Sequence, residues 1–219
     1  MFHAALVGML VCACAAMPGA AREREGERLA LDPPGLVVPA PQPDCGWGVT
    51  GVKPREVSRI YWDLLQTTEV LVRLIPAGPD GKPVRVNLVF QAFFPGREAR
   101  DWNTGLPQWP KGPPARLTLT AQAFPLTFVI PHLSLRLVID GTVIDLTAPG
   151  RRHRNIPCLI TTDDCAPNGI EADLEPSILA SLIAARSVQG RALELPFELT
   201  RADQEALAEF ASRIGLTRH

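Results

Sequence analysis

Cys158 and Cys165 stand in the stretch "PCLITTDDCAPNGIEADL", with six residues between them. A cysteine pair can hold a metal, cycle between thiol and disulfide, or staple two segments. A tetrahedral zinc site needs four ligands. No histidine or further cysteine stands at ligand spacing here, and His153 is alone on the near side. A redox motif needs a spacing of two residues. The spacing therefore favours a structural disulfide, closing a short loop worth about 2–3 kcal/mol in the chain-entropy model.

Other residues with chemical potential fall into three groups. Asp163, Asp164, Glu171, Asp173 and Glu175 form an acidic cluster whose spacing matches no EF-hand loop. Arg151, Arg152 and Arg154 in "GRRHR" form a basic patch, which reads either as a contact for anionic lipid, glycan or phosphate or as a solvated loop. The segment from Pro95 to Arg116 is too long and too proline-rich for a hairpin turn, and carries Trp102 and Trp109 with Arg97, Arg100 and Lys111. Tryptophan and arginine are the residues that dominate interface energetics, so this segment is a candidate partner-binding loop. The competing reading is a compact loop whose tryptophans pack down on a sheet. His132 and His153 have no neighbouring nucleophile motif. There is no G-x-S-x-G, H-E-x-x-H, P-loop or Rossmann glycine pattern, so nothing calls for a cofactor, a metal or a catalytic residue.

A staple presupposes an oxidising compartment. Residues 1–21 read "MFHAALVGMLVCACAAMPGAA", uncharged from Ala4 to Met17 and ending in small residues. This predicts a secretory signal cleaved after Ala21, because the apolar run is short of the roughly 20 residues that cross a bilayer. Val11-Cys12-Ala13-Cys14 also resembles a lipobox, in which Cys14 would be acylated and tether the chain. The expected location is therefore periplasmic or secreted, with a lipid anchor as the alternative. Cleavage after Ala21 removes Cys12 and Cys14 and leaves Cys45, which either stays free or replaces one partner of the pair.

Residues 22–44 are a charge run followed by "DPPGLVVPAPQPD", and read as a proline-rich linker. Residues 45–219 read as a single β-rich domain. The full chain has 22 prolines, one tyrosine and 46% apolar residues, which suits a loop-rich β fold with a true core. A net charge of −1 argues against a general nucleic-acid binder.

The elements follow from periodicity. Val84, Val86, Leu88, Phe90, Ala92 and Phe94 alternate with Arg85, Asn87 and Gln91, after "EVLVRLIP" and a turn at Asp80-Gly81. "LSLRLVID", Gly141 and "TVIDLT" repeat this hairpin grammar, and "ARLTLTAQA", "LTFVIP" and "IEADL" read as further strands. Pro176 opens one helix, and Thr200 with Asp203 caps a second, which stops at Gly215; between them "ALELPFELT" reads as one strand. The expected fold is mainly β: an antiparallel sandwich or partly closed barrel of about eight to nine strands, with two short C-terminal helices.

The order of features from Leu126 to Leu216 resembles the invasion-associated locus B family of exported bacterial proteins. "FVIPHLSLRLVIDG" looks like that family's proline-led strand, and "IPCLITTDDCAPNGIEADL" is similar to its paired cysteines and following strand. "PSILASLIAARSVQGRALELPFELT" and "EALAEFASRI" resemble its helix, closing strand and terminal amphipathic segment. The chain departs from it where Asp164 precedes Cys165, and where Cys45 beside Trp47 replaces a second cysteine pair. The resemblance implies an exported, non-enzymatic β protein of the cell envelope, linked to host or envelope contacts. Its partner would be a protein or envelope component. The rival class is a small-ligand carrier or enzyme with a pocket between the sheets.

Overall fold

Alternating side chains along successive segments build two antiparallel sheets in the computed structural model, which describes residues 52–123, 133–156 and 169–216. All lie in one compact unit, Pro43–His219. Strands β1 (Val57–Trp62), β2 (Thr67–Leu74), β3 (Val86–Pro95) and β4 (Arg116–Ala123) form a meander. The chain then makes β5 (Leu135–Ile139) and β6 (Thr142–Asp145) of a second sheet. It returns to the first with β7 (His153–Ile156) and β8 (Gly169–Asp173), giving the order β1-β2-β3-β4-β8-β7. Helix α1 (Pro176–Ala184), β9 (Val188–Ala192), β10 (Leu195–Glu198) and helix α2 (Arg201–Arg213) complete the described fold, and the second sheet runs β10-β9-β5-β6.

The architecture is a β-sandwich of ten described strands with two helices near the C-terminus, and no closed barrel. Three strands go beyond the expected set. The pattern expected to begin near Ile60 begins at Val57 with β1, β7 forms at the end of the basic patch, and the segment read as one strand between the helices, "ALELPFELT", holds a turn and β10, which pairs as a hairpin with β9 just upstream. Its turn residues, Leu193 and Glu194, have φ of 53° and 66°, a conformation for which the sequence carries no glycine or asparagine.

The inward residues of the large sheet, among them Val72, Leu88, Phe90, Leu119 and Ile170, pack with Leu135 and Leu137 of β5 and with Leu182, Leu207 and Phe210 of the helices. Ala77 and Glu198 exchange backbone hydrogen bonds of 3.2 and 2.7 Å, tying the β2–β3 connection to β10. At the β5–β6 turn, Asp140 and Gly141 have φ of 47° and 84°, as a tight Asp-Gly turn requires. Asp140 Oδ1 accepts the amides of Arg186 and Ser187, both at 2.9 Å, fixing the exit from α1. Helix α2 begins with the expected reciprocal box: Thr200 Oγ1 accepts the Asp203 amide, and the Asp203 carboxylate accepts the Thr200 amide. Gln204 donates to the carbonyls of Leu182 and Ala185, both at 2.9 Å, satisfying acceptors that the end of α1 would otherwise leave open.

Cys14, Cys45, Cys158, Cys165, His132, Asp163, Asp164 and the "LTFVIP" segment lie outside the described residues, as do residues 1–51.

Candidate binding site

The outward face of the large sheet is not a simple solvated surface. Strand β2 buries residues on both sides, and outward Leu71 and Val89 pack with Val52 and Ile60. Beside this small cluster an open trough of about 320 Å³ crosses the sheet from Trp62 and Leu65 to Ile156, with Val89 and Phe93 in its apolar lining. It lies outside the sandwich, not between the sheets.

The floor carries an ordered polar chain. Glu69, only 5% exposed, accepts from Trp62 Nε1 at 2.7 Å on one carboxylate oxygen and from Gln91 Nε2 at 2.7 Å on the other. Thr120 Oγ1 donates to Gln91 Oε1 at 2.9 Å, fixing which way that amide points. Strand register makes this possible. Glu69 faces Phe93 across β2–β3 and Ile60 across β1–β2, so aromatic and aliphatic side chains stand beside the carboxylate. At the far end Glu171 is held by Arg154, with bonds of 3.0 and 2.9 Å. Arg116 bridges Glu171 and Asp173 at 2.8 Å each. Although burial works to lower it, the Arg116 pKa is raised above its ordinary value by the hydrogen bond to Asp173 and by the charges of Glu171 and Asp173.

Among the described residues, Glu171 and Glu175 of the acidic cluster thus pair with arginines of the basic patch. Glu175 pairs with Arg151 at 3.1 Å, and Arg154 is spent on Glu171. Arg152 is exposed, and its carbonyl accepts the Asp173 amide. Among the described residues no group of three or more His, Cys, Asp or Glu is placed to hold a metal ion, and no helix is long and apolar enough to cross a membrane.

The long segment between β3 and β4 is internally braced. The Asp101 carboxylate accepts from the Asn103 amide, from the Thr104 amide and hydroxyl, and from Gln108 Nε2. The Thr104 bonds, against some desolvation and with help from Asn103 and Gln108, hold the Asp101 pKa below the usual carboxylate value. Backbone bonds from Asp101 to Leu106 and from Gln108 to Ala99 close the loop on itself. The two tryptophans part company. Trp109 packs against the core, with the guanidinium groups of Arg213 and Arg59 at 4.8 and 5.9 Å from its ring centre. Trp102 is 90% exposed. Arg100 pairs with Glu98, while Arg97 and Lys111 line a second, more polar cavity of about 310 Å³ beneath the loop, together with Thr68 and Phe94.

Gly96 donates to the Gln66 carbonyl at 2.7 Å, so the loop and the β1–β2 turn emerge from the same end of the sheet. That turn carries Leu64 and Leu65, 94% and 72% exposed, and the loop carries Leu106, 64% exposed. The sequence alone points to the loop and not to Trp62, Glu69, Gln91, Phe93 and Thr120. The available signal was Val89 and Phe93, two apolar residues on the side of β3 read as polar. Compared with protein-family models, with curated proteins and with solved structures, the chain gives no match.

Proposed function

We propose that the chain is an exported, non-enzymatic binding protein of the periplasm or the secreted fraction that engages a protein or envelope component through one end of its large sheet. The observation that carries this reading is Trp102, 90% exposed on a loop that Asp101 already holds in one conformation. An ordered, exposed aromatic loses little freedom on binding and buries a large apolar area. Leu64, Leu65 and Leu106 extend the apolar surface at the same end. The apolar N-terminal stretch and the likeness of Leu126–Leu216 to the invasion-associated locus B family support the same class.

The test is capture from the native envelope fraction by wild type and by a Trp102→Ala/Leu106→Ala variant. The variant should unfold at nearly the wild-type temperature and lose the captured component. An unchanged capture profile would sink the proposal. A second reading, a carrier of a small ligand, is favoured by the trough, and its volume falls in the range of small-molecule sites.

A further inference from the structure

Three carboxylates are buried among the described residues: Glu69, Glu171 and Asp203. Two have arginine partners. Asp203 pairs with Arg55 at 2.8 Å, and Glu171 pairs with both Arg116 and Arg154. Glu69 has none. Its two bonds come from an indole and an amide, both neutral. A buried carboxylate without a cation is unfavourable, because neutral donors replace only part of the lost hydration.

Glu69 and Glu171 both open onto the trough, and of the two it is Glu69 that faces it without an arginine. Among the described residues that line the trough, three carry ionisable side chains, Glu69, Glu171 and Arg154, and the last two pair with each other, so Glu69 is the one left without a cation. A carboxylate offers about four lone-pair sites. Trp62 and Gln91 occupy one on each oxygen, which leaves acceptor capacity for N–H donors from a ligand. The rings of Trp62 and Phe93 stand in the same lining, and aromatic faces attract ammonium groups. Beyond them Val89 and Ile156 continue the wall as apolar surface.

From this we infer that the trough is a binding site for a small primary amine carrying an apolar body, with the ammonium on Glu69 between Trp62 and Phe93 and the body along Val89 toward Ile156. The Thr120–Gln91–Glu69–Trp62 chain fixes the carboxylate before the ligand arrives, so binding needs no reorganisation of its acceptor. The inference deepens the carrier reading and does not rest on the Trp102 loop, so loss of partner capture and loss of amine binding are separable results.

The test uses three probes of one shape on the full chain: 4-phenylbutylamine, 4-phenylbutanol and 4-phenylbutyrate. Calorimetric titration should give the amine an affinity at least about tenfold above the alcohol, and the carboxylate the weakest. Glu69→Gln, nearly isosteric, should bring the amine down to the level of the alcohol and leave the alcohol unchanged. If that variant does not fold, the wild-type comparison alone decides. Equal affinities for amine and alcohol, no binding of the amine at millimolar concentration, or a folded Glu69→Gln that keeps wild-type amine affinity would each overturn the inference. Tighter binding of a capped Lys–Phe dipeptide than of the amine would overturn the assignment to a free small molecule.

Discussion

The ring of Phe197 on β10 lies against the backbone of Gly190, its cross-strand partner on β9. There is no room between them for a side chain. A Cβ at position 190 would run into the ring and would also stand 2.7 Å from the Arg136 carbonyl on the next strand. Gly190→Ala should therefore destabilise by about 1–3 kcal/mol, the range of overpacked cores. Urea titration would measure it. Adding Phe197→Leu to the variant should recover part of the loss, and additive losses in the double variant would contradict the contact.

The β9–β10 turn predicts a change of the opposite sign. Leu193 and Glu194 both adopt left-handed backbone conformations that disfavour residues with a Cβ. Leu193 is buried and must stay. Glu194→Gly should stabilise by about 0.5–1 kcal/mol, the relief of strain less the added freedom of glycine in the unfolded chain. The Glu194–Arg191 pair it removes is exposed and 3.5 Å long, so little is lost with it. A lower melting temperature for the variant would refute this.

Asp101 gives a pH prediction. Its pKa is depressed, so its bracing of the loop is fully present above the ordinary carboxylate range and is lost as pH falls through the folded value. The protection factors of the Asn103 and Thr104 amides, measured against their intrinsic exchange at each pH, should fall on acidification below about pH 4, the ordinary Asp value, while the amides of β3 stay protected. Asp101→Ala should show the same low protection already at neutral pH, with little change in the melting temperature. A large global destabilisation would mean that the loop is part of the core.

Gln204 is 6% exposed and serves two carbonyls at the end of α1. Gln204→Leu keeps the bulk and removes both bonds, leaving buried acceptors without donors. The expected loss is about 1–3 kcal/mol by chemical denaturation. Gln204→Glu should be at least as damaging, since a carboxylate faces the same two oxygens.

Much of the architecture was legible because its signals are local. The alternation of β3, the Asp140-Gly141 turn, Pro176 at the start of α1, and the Thr200/Asp203 box each occupy a few adjacent positions and lie where the pattern put them. Strand β1 is only partly legible, because "VSRIYW" is half-buried from Val57 to Tyr61, ends on exposed Trp62 and shows no clean alternation. The β9–β10 turn was missed because Leu-Glu carries no turn chemistry.

The trough was illegible for a different reason. Trp62, Glu69, Gln91 and Thr120 come from four strands, and only strand register makes them a connected chain. Likewise, nothing local separates Trp102 from Trp109. The arginines flanking Trp109 come from β1 and α2, at opposite ends of the described chain.

The excursion between β4 and β8 bears on how the chain can be made. These strands are neighbours, with Thr118 opposite Asp173, yet Ala123 and Gly169 are 46 positions apart (169 less 123). At about 5–20 residues per second, a ribosome needs roughly 2–9 s to deliver β8 after β4. Throughout that interval the β1–β4 meander has an unpaired edge at β4, which carries Leu117 and Leu119, and of the elements that cover its apolar face only β5 and β6 are made before β8, while β9, β10 and both helices follow it. An open edge of that kind is a template for a second copy of itself. Slower translation of this stretch should therefore lower the yield of soluble protein, whereas keeping the nascent chain unpaired until residue 173 has emerged should raise it.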